Sequence, residues 1–201
     1  MTIANPSDWE DRYQQGTTHW DLGQPAPPFV SWLNAQPAPL AGRAIALGCG
    51  RGYEALLFAA HGLQVVGVDF APSAIAIAQT LVEKQGQSAQ FIQRDIFDLL
   101  PEFASSFDYV IEHTCFCAID PAQRPAYVQL VRQLLRPGGE VLALFFTHTR
   151  PGGPPFGSTA EEIRQLFAAD FQILELVPVH NSVLKRQGEE HWGHLRRSPY
   201  D

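Results

Sequence analysis

Short apolar runs alternate with helically spaced segments through the middle of the chain. Arg43–Leu47, Gln64–Val68, Ala89–Gln93, Tyr109–Glu112 and Glu140–Phe146 have the length and composition of strands. Tyr53–His61, Ser73–Lys84, Pro121–Leu135 and Thr159–Ala168 read as the helices that accompany them. The clearest period lies in the third of these helices. Tyr127, Leu130, Val131, Leu134 and Leu135 recur at i, i+3, i+4, i+7 and i+8, one buried stripe. Arg136-Pro137-Gly138-Gly139 ends it and turns into the next strand. Phe171–Val179 and Glu189–Arg197 read as two strands joined by a turn, an antiparallel pair at one sheet edge. Ahead of the alternation, Ser7-Asp8-Trp9-Glu10 has capping-box form, so a short helix starts there and stops near Gly16. Pro25, Pro27 and Pro28 mark an extended turn, and a second short helix covers Phe29–Leu33.

Such alternation predicts a mostly parallel sheet with helices on both faces. Ligands of such sheets bind beyond the C-terminal strand ends, where the strand order reverses. Gly48, Asp69, Asp95 and Glu112–His113 all fall at C-terminal strand ends. No repeat, low-complexity tract or linker interrupts the pattern. The chain therefore reads as one domain over residues 1–201, with residues 1–40 as a helical cap.

Composition narrows the function. The 201 residues, 45% of them hydrophobic, suffice for one substantial core. A net charge of −7 argues against a nucleic-acid partner, which would want a basic groove. No apolar run approaches the roughly 20 residues of a membrane span. The first ten residues lack the basic and apolar regions of a secretory signal. Cys49, Cys115 and Cys117 are few and odd in number, so free thiols and a cytoplasmic setting are expected.

The run Ala46-Leu47-Gly48-Cys49-Gly50-Arg51-Gly52-Tyr53-Glu54 carries the most chemistry. It joins a strand to a helix, and the next strand ends in Asp69-Phe70. Glycines allow a sharp turn and close approach to a ligand, and an acid at the next strand end can accept from ribose hydroxyls. The unit expects a nucleoside-containing cofactor. A dinucleotide fingerprint places its third glycine where Tyr53 stands, so the spacing favours S-adenosylmethionine, which has no pyrophosphate.

Further candidates lie on the same rim. Asp95 and the Ile96 amide could bind an adenine ring, although a loop aspartate can equally cap a local turn. Trp9, Tyr13 and Trp20 either anchor the N-terminal segment or form an aromatic lid facing a sulfonium cation. In Glu112-His113-Thr114-Cys115-Phe116-Cys117, His113 could bind substrate or steer a proton, or be a hydrogen-bonded rim histidine. Cys115-x-Cys117 is too tight and isolated for zinc, and His191-x-x-His194 is isolated as well, so no metal is expected.

Several elements together identify a likeness. Trp9-x3-Tyr13-x6-Trp20-Asp21-x-Gly23, Leu47-Gly48-Cys49-Gly50, Val68-Asp69, Phe116-Cys117-Ala118-Ile119, Arg124-Pro125, Leu135-Arg136-Pro137-Gly138-Gly139 and Gly152-Gly153-Pro154-Pro155-Phe156 resemble the thiopurine methyltransferase superfamily. The likeness is closest to its halide/thiol (thiocyanate) methyltransferases and runs from about Trp9 to Glu190. It implies a class I S-adenosylmethionine-dependent fold, a seven-stranded sheet whose final strand is antiparallel. It implies cofactor contacts from Trp9, Tyr13, Trp20, Gly48, Gly50, Asp69, Phe70, Asp95, Ile96, Glu112 and His113, and it favours a monomer. The plant enzymes carry Trp at Tyr13 and Asp-Tyr at Glu112-His113, so the acceptor does not transfer with the likeness.

The expected reaction is in-line displacement on the cofactor methyl group by a small soft nucleophile: a thiol, hydrosulfide, thiocyanate or halide. Such anions need no strong base, and alignment with water exclusion can supply roughly 7–11 kcal/mol. Trp20 and Phe116 are expected to wall the methyl group and Phe156 to close the acceptor pocket, with His113 assisting where a thiol must lose its proton. Aromatic-thiol, thiopurine, selenium or metalloid acceptors, and a catalytically silent cofactor-binding protein, remain open.

Overall fold

The computed structural model describes residues 6–198; the first five residues of the expected cap, and the end of the chain, lie outside them. In chain order the elements are α1 Pro6–Gln15, α2 Pro27–Asn34, β1 Arg43–Leu47, α3 Tyr53–Ala60, β2 Gln64–Asp69, α4 Pro72–Gln85, β3 Ala89–Gln93 and β4 Phe107–His113. There follow α5 Arg124–Leu134, β5 Leu135–Phe146, α6 Ala160–Phe167, β6 Phe171–Pro178 and β7 Glu190–Arg197. One seven-stranded sheet runs in the order β3-β2-β1-β4-β5-β7-β6. Strands β1 to β5 pair in parallel, and β7 enters antiparallel between β5 and β6. The strand order reverses between β1 and β4, which fixes where a ligand can sit.

Alternation along each strand builds two cores. In β1, Ile45 and Leu47 join Val128, Val131, Ile163 and Phe167 of α5 and α6, whereas Ala44 and Ala46 join Phe29, Leu56, Phe58 and Ile75 of α2, α3 and α4. In β5, Val141, Ala143 and Phe145 face the first core and Leu142 and Leu144 the second. Burial on both faces explains why these strands read as unbroken apolar runs.

Two local expectations are corrected. The turn expected at Arg136–Gly139 is absorbed into β5, because Leu135 already pairs with Phe107 and the ladder takes a register shift before Tyr109. The capping box expected at Ser7–Glu10 is not where Glu10 is spent. Its carboxylate accepts from the Ser73 backbone N–H at 3.0 Å and from the Ser73 hydroxyl, at the first turn of α4. Helix α4 has no cap from its own Ala71, so an acid from α1 satisfies its free N–H and ties the N-terminal segment to the rim. The reciprocal box is instead at Thr159 and Glu162, opening α6.

Candidate active site

The loop after β1 is set by its glycines. Gly48, Gly50 and Gly52 have φ of 58°, 53° and 82°. A Cβ on Gly48 would come 2.9 Å from the Cys115 Sγ, and one on Gly52 would meet the Phe91 ring at 2.5 Å. Only glycine fits both the left-handed backbone and the space. Asp69 locks this loop to the end of β2. One carboxylate oxygen accepts from the Gly50 N–H and the other from the Ala71 N–H, both at 2.9 Å. Burial pushes the Asp69 carboxyl up, against the pull of those amides.

Beyond the strand ends lies a cavity of about 550 Å³. Trp9, Tyr13, Trp20, Gly48, Asp69, Phe70, Asp95, Ile96 and Phe156 line it, so the structure brings these candidates to one place. Asp95 combines both readings offered for it: it lines the cavity while one oxygen caps a turn by accepting from the Phe97 N–H at 3.0 Å. A smaller crevice of about 60 Å³ adjoins, sharing Tyr13, Trp20, Gly48 and Thr114, and holds Gly50, Glu54 and His113.

The aromatic segment both anchors and covers. Trp9 and Tyr13 meet the Trp20 ring edge-on, at 5.0 and 5.7 Å between centroids. Burial, with the Asp69 charge nearby, pushes the Tyr13 hydroxyl up, so it stays protonated. The loop His19-Trp20-Asp21 is held by three cations. Lys185 Nζ donates to the His19 carbonyl at 3.0 Å, Arg186 to the Trp20 carbonyl at 2.6 Å, and Arg51 pairs with the Asp21 carboxylate at 2.7 Å.

Three sequence expectations are corrected. Glu112 is almost wholly buried and lines neither space; its carboxylate accepts from the Cys115 and Phe116 N–H groups at 3.0 Å each and from the Tyr127 hydroxyl at 2.6 Å. It holds the loop after β4 from beneath. Phe116 points into the first core, packed on Tyr127, Phe145 and Phe167, and does not wall the cavity. Phe146, at the end of β5, lines it instead. His113 has no free nitrogen to serve as a base. Its Nδ1 lies 2.9 Å from Glu54 Oε1 and its Nε2 3.2 Å from an Arg186 terminal nitrogen.

Arg186 is the site residue the sequence reading missed. It is 6% exposed, lines the cavity, pairs with buried Glu190 at 3.1 Å and lies over the Phe146 ring at 5.4 Å. It comes from a short turn between β6 and β7 with no motif of its own. Glu54 was likewise visible only as part of the glycine run. Burial alone would raise its carboxyl, but His113 and the Ala26 N–H at 3.0 Å hold it below the usual range. Phe156 is fixed by two bonds: its N–H donates to the Cys117 carbonyl at 2.6 Å, and its carbonyl accepts from buried Arg124 at 3.2 Å. Among the described residues no cluster of three or more His, Cys, Asp or Glu could hold a metal. Nor is any described helix long and apolar enough to cross a membrane.

Comparison with known proteins agrees with this geometry. The family model for thiopurine S-methyltransferase matches residues 4–198. A probable thiol methyltransferase 2 of Arabidopsis thaliana is 33% identical, covering 98% of this chain and 88% of that protein. Thiocyanate methyltransferase 1 of Brassica oleracea is 32% identical over 94% of this chain and 84% of its own length. Among solved structures, a Burkholderia thailandensis 1,6-didemethyltoxoflavin-N1-methyltransferase with bound S-adenosylhomocysteine shares the fold at a TM-score of 0.74, with 21% identity and coverage of 98% and 92% of the two chains.

Proposed function

The chain belongs to the thiopurine S-methyltransferase family and is an S-adenosylmethionine-dependent methyltransferase, and on that premise we propose that its acceptor is a small soft nucleophile: a thiol or hydrosulfide, thiocyanate or a halide. The observation that carries this reading is the buried Arg186 guanidinium over the Phe146 ring, in a cavity also lined by Trp20 and Phe156, with both nitrogens of His113 engaged. A cation on an apolar wall suits a weakly hydrated anion. Thiocyanate, halide and hydrosulfide ions arrive already deprotonated, so a histidine with both nitrogens engaged does not obstruct them. The names of the two plant relatives support the same class.

Trp9, Tyr13, Trp20, Gly48, Asp69, Phe70, Asp95 and Ile96 would hold the cofactor, and the cavity of about 550 Å³ that they line has room for it. Bound there, S-adenosylmethionine supplies an electron-poor methyl group on a sulfonium. Trp20, tied down by Arg186, would exclude water from the cavity, and Phe156, held through its carbonyl by Arg124, would help to fix the acceptor. Residues 1–201 act as one domain whose first forty residues are its cap. The reading asks for no metal, nucleic acid or membrane, and it takes the protein as a cytoplasmic monomer with free thiols at Cys49, Cys115 and Cys117.

The test is transfer from methyl-labelled S-adenosylmethionine to iodide, thiocyanate, hydrosulfide and an aromatic thiol, with volatile products trapped. Methyl thiocyanate, methyl iodide or methanethiol is the expected product. Turnover of the aromatic thiol alone would assign a larger acceptor.

A further inference from the structure

We propose that His113 is a positioning residue for the acceptor: Glu54 holds it in one tautomer, and its second nitrogen fixes the Arg186 guanidinium at the cavity wall. The proposal rests on the anionic-acceptor reading above.

Donor and acceptor counting decides the tautomer. The Glu54 carboxylate is held ionised and only accepts, so the Nδ1 facing it at 2.9 Å must carry hydrogen. Arginine has no acceptor, so the Nε2 facing it at 3.2 Å must offer a lone pair. The neutral Nδ1–H imidazole alone satisfies both ends. The other neutral tautomer sets a lone pair against the carboxylate and N–H against N–H. The imidazolium keeps Glu54 but turns a donor towards a guanidinium.

The guanidinium is placed by its partners. One terminal nitrogen of Arg186 donates to His113 Nε2 and, at 3.1 Å, to Glu190; the other donates to the Trp20 carbonyl at 2.6 Å. Three of its five N–H groups are thus committed to holding it where it lines the cavity. The groups facing the imidazole are Glu54 from α3, Arg186 and through it Glu190 from the segment entering β7, Glu112 on β4 itself, and the Phe29 ring of α2 at 5.9 Å.

Thiocyanate and iodide arrive as anions, so their KM reads the placement of the guanidinium with no proton transfer involved. His113→Asn, reaching Glu54 only, should raise the thiocyanate KM about tenfold, the loss of one hydrogen bond to a charged group, while the KM for S-adenosylmethionine stays near wild type. His113→Gln, which sets a carbonyl near the Nε2 position, should recover most of the wild-type thiocyanate KM. A wild-type KM in the Asn variant, no recovery in the Gln variant, or a cofactor KM that rises in step overturns the proposal. Nitrogen-15 shifts of His113 test it with no acceptor present: the Nδ1–H tautomer is expected at neutral pH, and Nε2–H or imidazolium refutes it. Failure of wild type to methylate any anion, with the expected tautomer observed, removes the acceptor reading and the acceptor-positioning role together. The tautomer assignment alone survives that outcome.

Discussion

A terminal nitrogen of Arg186 donates to the backbone carbonyl of Trp20 across 2.6 Å, joining the turn before β7 to the aromatic cap 166 residues earlier. The same guanidinium is paired with Glu190, which is 2% exposed. Arg186→Met therefore removes both the strap on the cap and the partner of a buried carboxylate. Breaking a buried pair from one side costs about 3–5 kcal/mol, measurable by urea unfolding. Adding Glu190→Gln should restore much of that stability by neutralising the orphaned charge, without restoring acceptor turnover. Recovery of both would reduce Arg186 to a structural role.

Asp69 serves the glycine loop and the cavity together, since both oxygens accept backbone N–H groups and the residue also lines the cavity. Asp69→Ala is expected to weaken S-adenosylhomocysteine binding roughly 10–100-fold, the range of one or two hydrogen bonds to a charged group. Titration calorimetry reads this directly. Unchanged affinity would show that the cofactor is held elsewhere.

Arg124 acts through the Phe156 loop. It is 3% exposed, sits over the Phe116 ring at 4.6 Å and donates to the Phe156 carbonyl. Arg124→Met should loosen the Gly152–Phe156 loop and raise the acceptor KM several-fold, leaving cofactor affinity near wild type. Equal losses in both would place the loop's influence on the cofactor instead.

Glu112 gives a pH-dependent signature in stability. Burial raises its carboxyl above the usual range, against the bonds from Tyr127 and the Phe116 and Cys115 amides. A carboxyl whose folded pKa lies above its unfolded value favours the fold fully below the unfolded pKa and loses that contribution as pH rises through the folded one. Glu112→Gln keeps an acceptor for the two amides and never ionises. Its stability relative to wild type should therefore improve as pH rises above the ordinary carboxylate range in parallel urea titrations. A constant difference would mean that the carboxylate is already fully compensated.

Glu10 carries the opposite sign. Burial alone would raise its carboxyl, but Ser73 and Gln14 outweigh this and lower it. Its contribution is present above the unfolded pKa and lost as pH falls through the folded one. Glu10→Ala should cost about 1 kcal/mol at neutral pH, the usual worth of a helix N-terminal cap, and less in acid. The cost should appear in both thermal stability and cofactor affinity, because α1 carries Trp9 and Tyr13.

The chain order of elements, the parallel sheet and the rim positions Gly48, Asp69 and Asp95 were all legible in the sequence. They depend on period, turn chemistry and the rule that open parallel sheets bind ligands at their C-terminal edge. Element ends moved by a few residues where pairing overrode the local signal, as when Leu135 joined Phe107 and drew Arg136–Gly139 into β5. Neighbouring positions on the loop after β4 took opposite fates for a reason no local pattern states. Phe116 turned into the α5–α6 core, while Cys117 stayed at the cavity and received the Phe156 N–H on its carbonyl.

The sequence by itself determined the fold, the cofactor class and the face on which the site lies, because these follow from interactions between residues close in the chain and from the connectivity of β–α–β units. Only the tertiary structure decided what the polar side chains of that face do. His113 and Arg186 are 73 residues apart and His113 and Glu54 59, and nothing in the residues around any of them records the pairing. That pairing exists because β7 inserts between β5 and β6 and carries Glu190, with Arg186 just ahead of it, to the C-terminal end of β5, where Glu190 faces Phe146. There the burial of a guanidinium and two carboxylates leaves each one geometry in which its hydrogen bonds are met.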